Sequence, residues 1–199
     1  MDEKELLYKC KQSDPEAFNQ LVLRYQDRIF NLAYRLLGHY QEAEDVCQQS
    51  FINAYYHIKN FQEKSSFLTW VYKITVNLCY SAQRKRSRQP VSIPLQGNEF
   101  PAETNPVQNC PPSDSNPVNF SNNPGQQLEN NERNQTVQKA LNLLEENLRT
   151  VVILRDIEGH SYAEISRILN QPVGTIRSRL AKAREELKMR LLKNPIISP

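Results

Sequence analysis

The stretch from His160 to Leu187 constrains the fold of this chain more than any other. Ser161 is followed three residues later by Glu164, which is the register of a helical capping box, and an apolar pattern of helical spacing follows. Asn170 and Pro172 then interrupt the pattern with residues that favour a turn and the start of a new helix. The stretch therefore predicts two helices joined by a tight turn.

The second helix of this pair has one apolar face and one basic, hydrogen-bonding face. The apolar face carries Val173, Ile176, Leu180, Ala183 and Leu187, and the other face carries Thr175, Arg177, Ser178, Ala181, Lys182 and Arg184. A helix-turn-helix presents such a face to the major groove, where Arg and Lys reach guanine edges or phosphates. The pattern favours duplex DNA binding, and a helical hairpin with an ordinary solvated face is the alternative that spacing leaves open.

Charge is unevenly distributed along the chain of 199 residues, whose formal net charge is only +3. Residues 159–193 hold eight Lys or Arg against three Glu, whereas residues 1–83 hold nine basic against ten acidic side chains. A local basic patch can bind phosphates even when the whole chain is near neutral. The charge distribution thus favours nucleic-acid binding by the C-terminal part of the chain.

Several classes of protein are disfavoured by composition. The four cysteines, Cys10, Cys47, Cys79 and Cys110, show no paired spacing, and the three histidines do not stand near them at ligand spacing, so we expect no metal and no cofactor. Cys47 and Cys79 fall at apolar helical positions and are expected to be buried thiols. The chain shows no signal peptide and no apolar run of about 18 residues, which predicts a cytoplasmic protein without membrane insertion. No phosphate loop or nucleophile–base pair is visible, so we do not expect an enzyme.

Three amphipathic helices are predicted before residue 89. The first begins at Ser13, which stands in capping-box register with Glu16, and Gly38 ends it. The second runs from about Gln41 to Ile58, and Ser66 caps the third. The core stripe of the second helix consists of Ala43, Val46, Cys47, Ser50, Phe51, Ala54 and Ile58.

The second helix also has a face that lies off its core stripe. This face carries Asp45, Gln48, Gln49, Ile52 and Tyr56. Exposed Ile and Tyr side chains beside acidic and amide groups suit a contact with another protein. The alternative is a solvated face with a stray apolar residue, which is normal on any surface.

The third helix interleaves aromatic and basic residues and ends in the basic run Arg84–Arg88. We expect Trp70, Val71, Ile74 and Leu78 to face inward, and the residues on other faces to be Tyr72, Lys73, Val76, Asn77, Tyr80 and Arg84. Such a surface suits single-stranded nucleic acid, because rings stack on bases while cations hold the backbone. Half-buried tyrosines followed by a solvated basic tail explain this segment equally well.

Residues 89–130 differ in character from the rest of the chain. These 42 residues contain no Lys or Arg and eight of the twelve prolines. Such a segment cannot bury enough apolar surface to offset its ordering entropy, which predicts a flexible linker. The fold class predicted is therefore all-α, with two small helical domains at residues 1–88 and 131–199, the second containing the helix-turn-helix.

Motifs in both domains point to one family. They are Asp14–Phe18, Arg24-Tyr25, Glu44–Phe51, Ser66–Ile74 with Asn77, Leu154–Gly159, Ser161–Ile165 and Pro172–Leu180. Together they resemble the extracytoplasmic-function group of the sigma-70 family, the initiation factors of bacterial RNA polymerase. Leu68 and Leu144 depart from the family pattern, which often has a basic residue and a proline there, and the linker is long for the group.

The resemblance implies a factor that binds the polymerase core and recognises the promoter −10 and −35 elements. Residues 1–88 would be sigma domain 2, and residues 131–199 would be sigma domain 4. The polymerase core would be bound by Asp45, Gln48, Gln49, Ile52 and Tyr56. The −10 element would be bound, from the loop at Asn60–Phe67 and the helix after it, by Phe61, Lys64, Phe67, Tyr72, Lys73, Asn77 and Tyr80. The −35 element would be bound by Thr175, Arg177, Ser178, Ala181 and Lys182.

The partners that the resemblance implies are the polymerase core and promoter DNA. An anti-sigma factor is a common expectation for the family and is not indicated by these residues themselves. The alternative function is a transcriptional regulator that binds duplex DNA through its second domain and a different partner through its first. A nucleic-acid-processing enzyme would need clustered carboxylates, which the adjacent pair Glu44 and Asp45 does not supply.

Overall fold

The computed structural model describes residues 2–88 and 134–192, and all regular structure within these two ranges is helical. The first region, residues 2–88, consists of α1 (Glu3–Lys11), α2 (Pro15–Leu37), α3 (Tyr40–His57), a 3₁₀ turn (Ile58–Asn60) and α4 (Phe67–Arg88). The all-α prediction is confirmed for the described residues. The linker predicted at residues 89–130, which contains Cys110, lies outside them.

The second region, residues 134–192, contains the predicted helix-turn-helix. It consists of α5 (residues 134–142), α6 (Glu146–Val152), a π-helical turn (Ile153–Ile157), α7 (Tyr162–Leu169) and α8 (Val173–Leu192). Helices α6 and α7 both pack on α8. Asn170 lies between α7 and α8 with φ 51°, so the predicted turn residue adopts the left-handed conformation that ends a helix. None of the helices described is long and apolar enough to cross a membrane.

Helix α1 was not predicted from the sequence. It has only nine residues, and the Asp2 carboxylate caps it by accepting a hydrogen bond of 2.8 Å from the Glu3 N–H. Leu6, Leu7 and Cys10 on its inner face are buried in the core of the first region. A helix this short is stabilised by packing rather than by its own propensity, which explains why the sequence pattern was weak.

The prediction that Ser13 caps α2 is wrong. The cap is Asp14, whose carboxylate accepts hydrogen bonds of 2.9 and 3.3 Å from the N–H groups of Glu16 and Ala17. Pro15 occupies the first helical position, so the residue immediately before it is the one placed to cap. Ser13 instead adopts a left-handed conformation with φ 68° between α1 and α2.

Gly38 ends α2, as predicted, with φ 75°. The second region also approaches the chain closely at this point. A Cβ atom placed on Gly38 would lie 2.6 Å from the side-chain nitrogen of Asn142, which is closer than real contacts allow. Both the backbone conformation and the neighbour therefore favour glycine here.

The core stripe predicted for α3 is confirmed, because all seven of its residues are buried. The predicted burial of Cys47 and Cys79 is confirmed as well, and Cys10 is also buried. Burial raises the pKa of the Cys47 thiol to about 11 and that of Cys79 to about 12. These thiols therefore stay protonated at neutral pH and behave as small apolar side chains.

Helix α4 departs from its predicted arrangement. Val71 is buried as expected, but Tyr72 and Val76, which were expected on outer faces, are each only 1% exposed. Tyr72, Val76 and Tyr80 are spaced four residues apart and so share one side of α4, which we call the tyrosine face. The second region packs against the tyrosine face, so that Tyr72 and Val76 are buried and Tyr80 is half-buried.

The two regions pack together, and their buried apolar side chains form one continuous cluster. Polar contacts join them at the C-terminal end of α2, where the last carbonyl groups have no partner within the helix. The Leu36 carbonyl accepts hydrogen bonds from Gln83 (2.9 Å) and from the Arg149 guanidinium (2.7 Å). The Arg35 carbonyl accepts one of 3.1 Å from Gln138. Gln138 and Arg149 of the second region thus help to cap a helix of the first.

Candidate polymerase and nucleic-acid interfaces

The outer face of α3 is exposed, as predicted for a protein contact. Asp45, Gln48 and Gln49 are exposed, and the exposed fractions of Ile52 and Tyr56 are 48% and 75%. Tyr55, which the sequence analysis did not single out, is 40% exposed, and its ring packs edge-on against Phe18 with centroids 5.1 Å apart. An aromatic and aliphatic patch beside carboxylate and amide groups is typical of a surface that binds another protein.

A cavity of about 330 Å³ adjoins this face between α2 and α3. Gln48 is one of its lining residues, so the cavity is continuous with the outer face of α3. Phe30 and Tyr40 form an aromatic wall, with an edge-on contact of 5.1 Å between their centroids. Neither residue was predicted from the sequence, because neither follows the core stripe of its helix.

The loop between the 3₁₀ turn and α4 is supported by an aromatic cluster. Phe61 and Phe67 are 5% and 0% exposed, and their ring centroids lie 5.0 and 5.9 Å from that of Trp70. Ser66 caps α4 as predicted, accepting a hydrogen bond of 3.1 Å from the Thr69 N–H. In this arrangement the two phenylalanine rings brace the loop and are not accessible to a nucleic-acid base. Their direct contact with the −10 element stays a prediction.

Helix α1 also supports this loop. Lys11 forms an ion pair with Glu63, and its ammonium nitrogen lies 5.9 Å from the centroid of the Phe61 ring. Glu63 itself adopts a left-handed conformation with φ 55°. This contact was not predictable from local sequence patterns, because Lys11 and Glu63 are 52 residues apart.

A cavity of about 290 Å³ opens beside the loop. Lys64, Lys73 and Trp70 line it, and the two lysines are exposed and have no ion-pair partner within residues 2–88 and 134–192. Arg167 and Ile168 of α7 form the opposite wall. Cations around an aromatic ring are suited to single-stranded nucleic acid. Arg167 is a member of this cavity that the sequence analysis missed.

The two tyrosines predicted to contact the −10 element are bound by the second region. The Tyr72 hydroxyl donates a hydrogen bond of 2.5 Å to the Glu158 carboxylate, and its ring meets that of His160 edge-on at 4.9 Å. Tyr80 is half-buried, and Thr150 of α6 influences the pKa of its hydroxyl. Burial raises the pKa of both tyrosines, and for Tyr72 the neighbouring Glu158 carboxylate raises it further.

Lys73 and Asn77 lie beside the tyrosine face and remain exposed. The predicted −10 surface is therefore divided in this structure. Its cationic and amide side chains are open to solvent, whereas Tyr72 is buried and Tyr80 is half-buried.

Helix α8 presents its basic face as predicted. Arg177, Ser178, Ala181 and Lys182 are exposed and Thr175 is half-buried. Lys182 forms an ion pair of 3.9 Å with Glu186, and the Lys182 side chain stays 62% exposed.

Two contacts that the sequence analysis missed position α8. The Arg177 guanidinium lies 5.7 Å from the centroid of Tyr162 in α7, and Arg155 lies 5.0 Å from the same ring. Arg184, which was expected on the basic face, instead forms two hydrogen bonds of 3.0 and 2.5 Å with the Asp156 carboxylate. Arg184 therefore fixes α8 to the π-helical turn. Among the described residues, no group of three or more His, Cys, Asp or Glu side chains is placed to hold a metal ion.

Comparison with protein families gives two matches, which fall on the two regions. Residues 21–89 match the model of Sigma-70 region 2, and residues 134–187 match that of Sigma-70, region 4. The first match contains the outer face of α3, the loop and α4. The second contains the helix-turn-helix.

Similar full-length proteins include two curated sigma factors. The chain is 33% identical to the RNA polymerase sigma-H factor of Pseudomonas aeruginosa over 93% of this chain and 91% of that one. It is 33% identical to the ECF RNA polymerase sigma factor SigW of Bacillus subtilis over 94% and 96%. A similar solved structure is the sigma factor RpoE from Bartonella quintana in complex with the anti-sigma factor NepR, with a TM-score of 0.64, 25% identity and coverage of 89% and 98%.

Proposed function

This chain belongs to the extracytoplasmic-function sigma factors of the sigma-70 family, and on that premise we propose which of its surfaces bind the polymerase and which bind the promoter. It is an initiation factor that binds RNA polymerase core and directs promoter-specific transcription. The observation that supports this assignment of surfaces is that the chain has two separate cationic surfaces of different shape. One is the exposed basic face of helix α8, and the other is the cationic and aromatic cavity beside α4.

We propose that the two regions bind different partners. Residues 1–88 bind the polymerase core and the −10 element, residues 131–199 bind the −35 element, and residues 89–130 connect them. The protein works in the cytoplasm, where the polymerase is, and has no catalytic chemistry of its own. Because the similar RpoE structure contains an anti-sigma factor, we extend the proposal to an anti-sigma partner for this chain.

The outer face of α3 binds the polymerase core. Asp45, Gln48 and Gln49 supply its polar contacts, and Ile52 and Tyr56 supply exposed apolar surface next to them. Exposed side chains of this kind contribute little to folding, so their chemistry is available for a partner.

The loop and α4 hold the separated −10 strand. Lys64 and Lys73 hold its backbone and Asn77 offers an amide to a base. Tyr72 and Tyr80 supply rings for stacking in a promoter-bound state in which the second region no longer covers them. Phe61 and Phe67 shape the loop from beneath. Helix α8 holds the −35 duplex, with Arg177 as the side chain best suited to guanine, Lys182 to phosphate, and Thr175, Ser178 and Ala181 along the same face.

The test of the −10 assignment uses Lys64→Ala and Asn77→Ala, with Lys59→Ala as the control, since Lys59 is an exposed lysine close to the loop. Open complexes are measured on one promoter in two forms, fully duplex and pre-melted across the −10 element, together with affinity for the core. We expect both test variants to form fewer open complexes on both forms while core affinity stays the same. Parental behaviour of both variants on the duplex promoter would contradict the assignment.

A further inference from the structure

We propose that α1 is a brace for the loop assigned to the −10 element: its last residue, Lys11, holds Glu63 and thereby positions Lys64 for the promoter strand. Lys11 and Glu63 are positioning residues in this scheme and do not themselves contact DNA. The brace rests on the proposed −10 assignment and adds to it a helix that precedes the residues matched by Sigma-70 region 2.

The loop contains a backbone conformation that needs support from outside. Glu63 lies between the 3₁₀ turn, which ends at Asn60, and α4, which begins at Phe67, and its φ is 55°. Residues other than Gly, Asn and Asp rarely adopt this left-handed region, because their Cβ atom comes too close to the following carbonyl oxygen. Such conformations persist only where the surrounding structure holds them. The shape of the loop therefore depends on the contacts of Glu63.

Lys11 contacts the loop at two points. Its ammonium group forms an ion pair with the Glu63 carboxylate, and the same nitrogen lies 5.9 Å from the centroid of the Phe61 ring. Phe61 is buried and packs on Trp70, so this second point is fixed in the core. Lys11 thus ties the exposed middle of the loop to its buried start.

Helix α1 is a firm support for these contacts. Leu6, Leu7 and Cys10 are buried in the core of the first region. The Tyr25 hydroxyl of α2 donates a hydrogen bond to the carboxylate of Glu3, which fixes the opposite end of α1. Lys11 therefore reaches the loop from a helix that is held at its start and along one face.

The brace acts on the promoter strand through Lys64, the residue that follows Glu63. Lys64 is exposed and lines the cavity that also contains Lys73 and Trp70. If Glu63 returned to an ordinary backbone conformation, its φ would change by about 100° or more, and the chain after it would take another direction. Only the molecules with a braced loop would then present Lys64 to the strand, and the apparent affinity would fall with their fraction.

The ion pair matters for placement more than for folding. The Lys11 and Glu63 side chains are 30% and 52% exposed, and ion pairs this accessible add little to stability. A small contribution does not decide whether the protein folds, but it is enough to change the population of one loop conformation several-fold. Altering the pair should therefore change capture of the strand while thermal unfolding stays nearly constant.

The test reverses the charges of the pair. Lys11→Glu, Glu63→Lys and the double variant with both changes are compared with Lys9→Glu and Glu5→Lys, which alter the 3.4 Å ion pair between Glu5 and Lys9 on the same helix. Each full-length protein is combined with core polymerase, and open complexes are titrated on one promoter, fully duplex and pre-melted across the −10 element. Core affinity, helical signal and thermal unfolding are measured for every variant.

The sign of the effect distinguishes the brace from general electrostatics. Glu63→Lys adds positive charge beside the strand, which alone would strengthen binding. We nevertheless expect it to reduce open complexes on both promoter forms by roughly three- to tenfold, within the range for side chains that are coupled by contact. Lys11→Glu should reduce them by a similar factor. The double variant, which has the net charge of the parent, should recover most of the loss, and both control variants should stay close to the parent.

A second comparison separates positioning from direct contact with DNA. In a protein that already carries Lys64→Ala, Glu63→Lys should have no further effect, because the side chain that the brace positions is absent. An equal loss with and without Lys64→Ala would overturn the brace. Parental open-complex formation by folded Lys11→Glu and Glu63→Lys variants would overturn it too, as would a double variant no better than either single change.

Failure of the −10 assignment is seen separately, in Lys64→Ala alone. If Lys64→Ala forms open complexes like the parent, both the assignment of Lys64 and the brace that positions it are removed. If Lys64→Ala is defective while the Lys11 and Glu63 variants match the parent, only the brace is removed.

Discussion

Asp14 is the residue that fixes where α2 begins, since its carboxylate accepts hydrogen bonds from two N–H groups of the first turn. Replacing a capping Asp by Ala costs about 1 kcal/mol. We therefore expect Asp14→Ala to lower the free energy of unfolding by about that amount in a denaturant titration. Ser13→Ala is the control and should have little effect, because Ser13 does not cap the helix. Equal destabilisation by the two changes would show that the cap is misassigned.

His160 makes the contact between the regions sensitive to pH. Burial lowers the pKa of His160 below its ordinary value of 6.5, Glu164 and Glu158 oppose that change, and Arg28 adds to it. When the regions separate, His160 regains solvent, which removes the burial that lowers its pKa. As the pH falls through about 6.5, the separated form therefore takes up a proton that the closed form resists, which weakens the contact.

We accordingly expect the radius of gyration to rise between about pH 7.5 and about pH 5.5 in the parent and to stay constant in His160→Gln. Tyr72 is the remaining titratable group in contact with His160, and its raised pKa keeps it protonated throughout this range. The same expansion in His160→Gln would assign the pH dependence to another group.

Individual residues were predictable where their signal is local. Ser161 and Glu164 form the predicted capping box, with the Ser161 N–H donating at 2.8 Å to the Glu164 carboxylate and the Glu164 N–H donating at 3.3 Å to the Ser161 hydroxyl. Tyr72 was not predictable in this way. Its partner Glu158 is 86 residues away, and helical spacing does not reveal which face of a helix another region will cover.

At the level of elements, α3 presents one face to the core and another to solvent, and we expect these faces to be separable by mutation. Substituting Asp45, Gln48 and Gln49 together by Ala should weaken binding to polymerase core while leaving thermal unfolding nearly unchanged, because exposed side chains contribute little to stability. His57→Ala, an exposed change at the end of the same helix, serves as the control. If the triple variant keeps its native helical signal and binds core polymerase as tightly as the parent, this face is not part of the polymerase interface.

Helix α8 provides a second separable face. Arg177→Ala should cost about 1–3 kcal/mol on the cognate −35 duplex if its guanidinium contacts guanine. Lys182→Ala should weaken binding to duplexes of every sequence by a similar factor. It should also reduce the slope of log affinity against log salt concentration by about one, as expected for a lost phosphate contact. Lys188→Ala, an exposed lysine further along α8, is the control in duplex-binding titrations at several salt concentrations. If either variant binds the cognate duplex as tightly as the parent, the substituted residue does not contact the −35 element.

The elements were predictable where periodicity is strong. The core stripe of α3 and the helix-turn-helix follow from apolar spacing, and both were located from the sequence. Helix α1 is too short to give such a pattern, and its support of the loop through Lys11 and Glu63 depends on the tertiary fold. Arg184 was placed on the basic face by spacing alone, but the nearby Asp156 carboxylate binds it.

At the scale of the whole molecule, the structure joins two regions that were expected to act apart. Their interface covers the tyrosine face and leaves Lys73, Asn77 and the basic face of α8 exposed. With the regions packed in this way, the exposed basic side chains stay accessible to DNA phosphates, whereas the Tyr72 ring is buried. In the proposed scheme, core polymerase binds the exposed face of α3. Both promoter surfaces are then used when core polymerase is bound.

The most direct test of this account is reconstitution with purified core polymerase on genomic DNA, followed by sequencing of the 5′ ends of the transcripts. We expect a limited set of start sites that appear only with this protein and share sequences at −10 and −35. Arg177→Ala should reduce use of these sites through the −35 element, and Lys64→Ala through the −10 element. If the protein binds core polymerase and yet no defined start sites appear beyond those of core alone, the assignment of both promoter surfaces is contradicted.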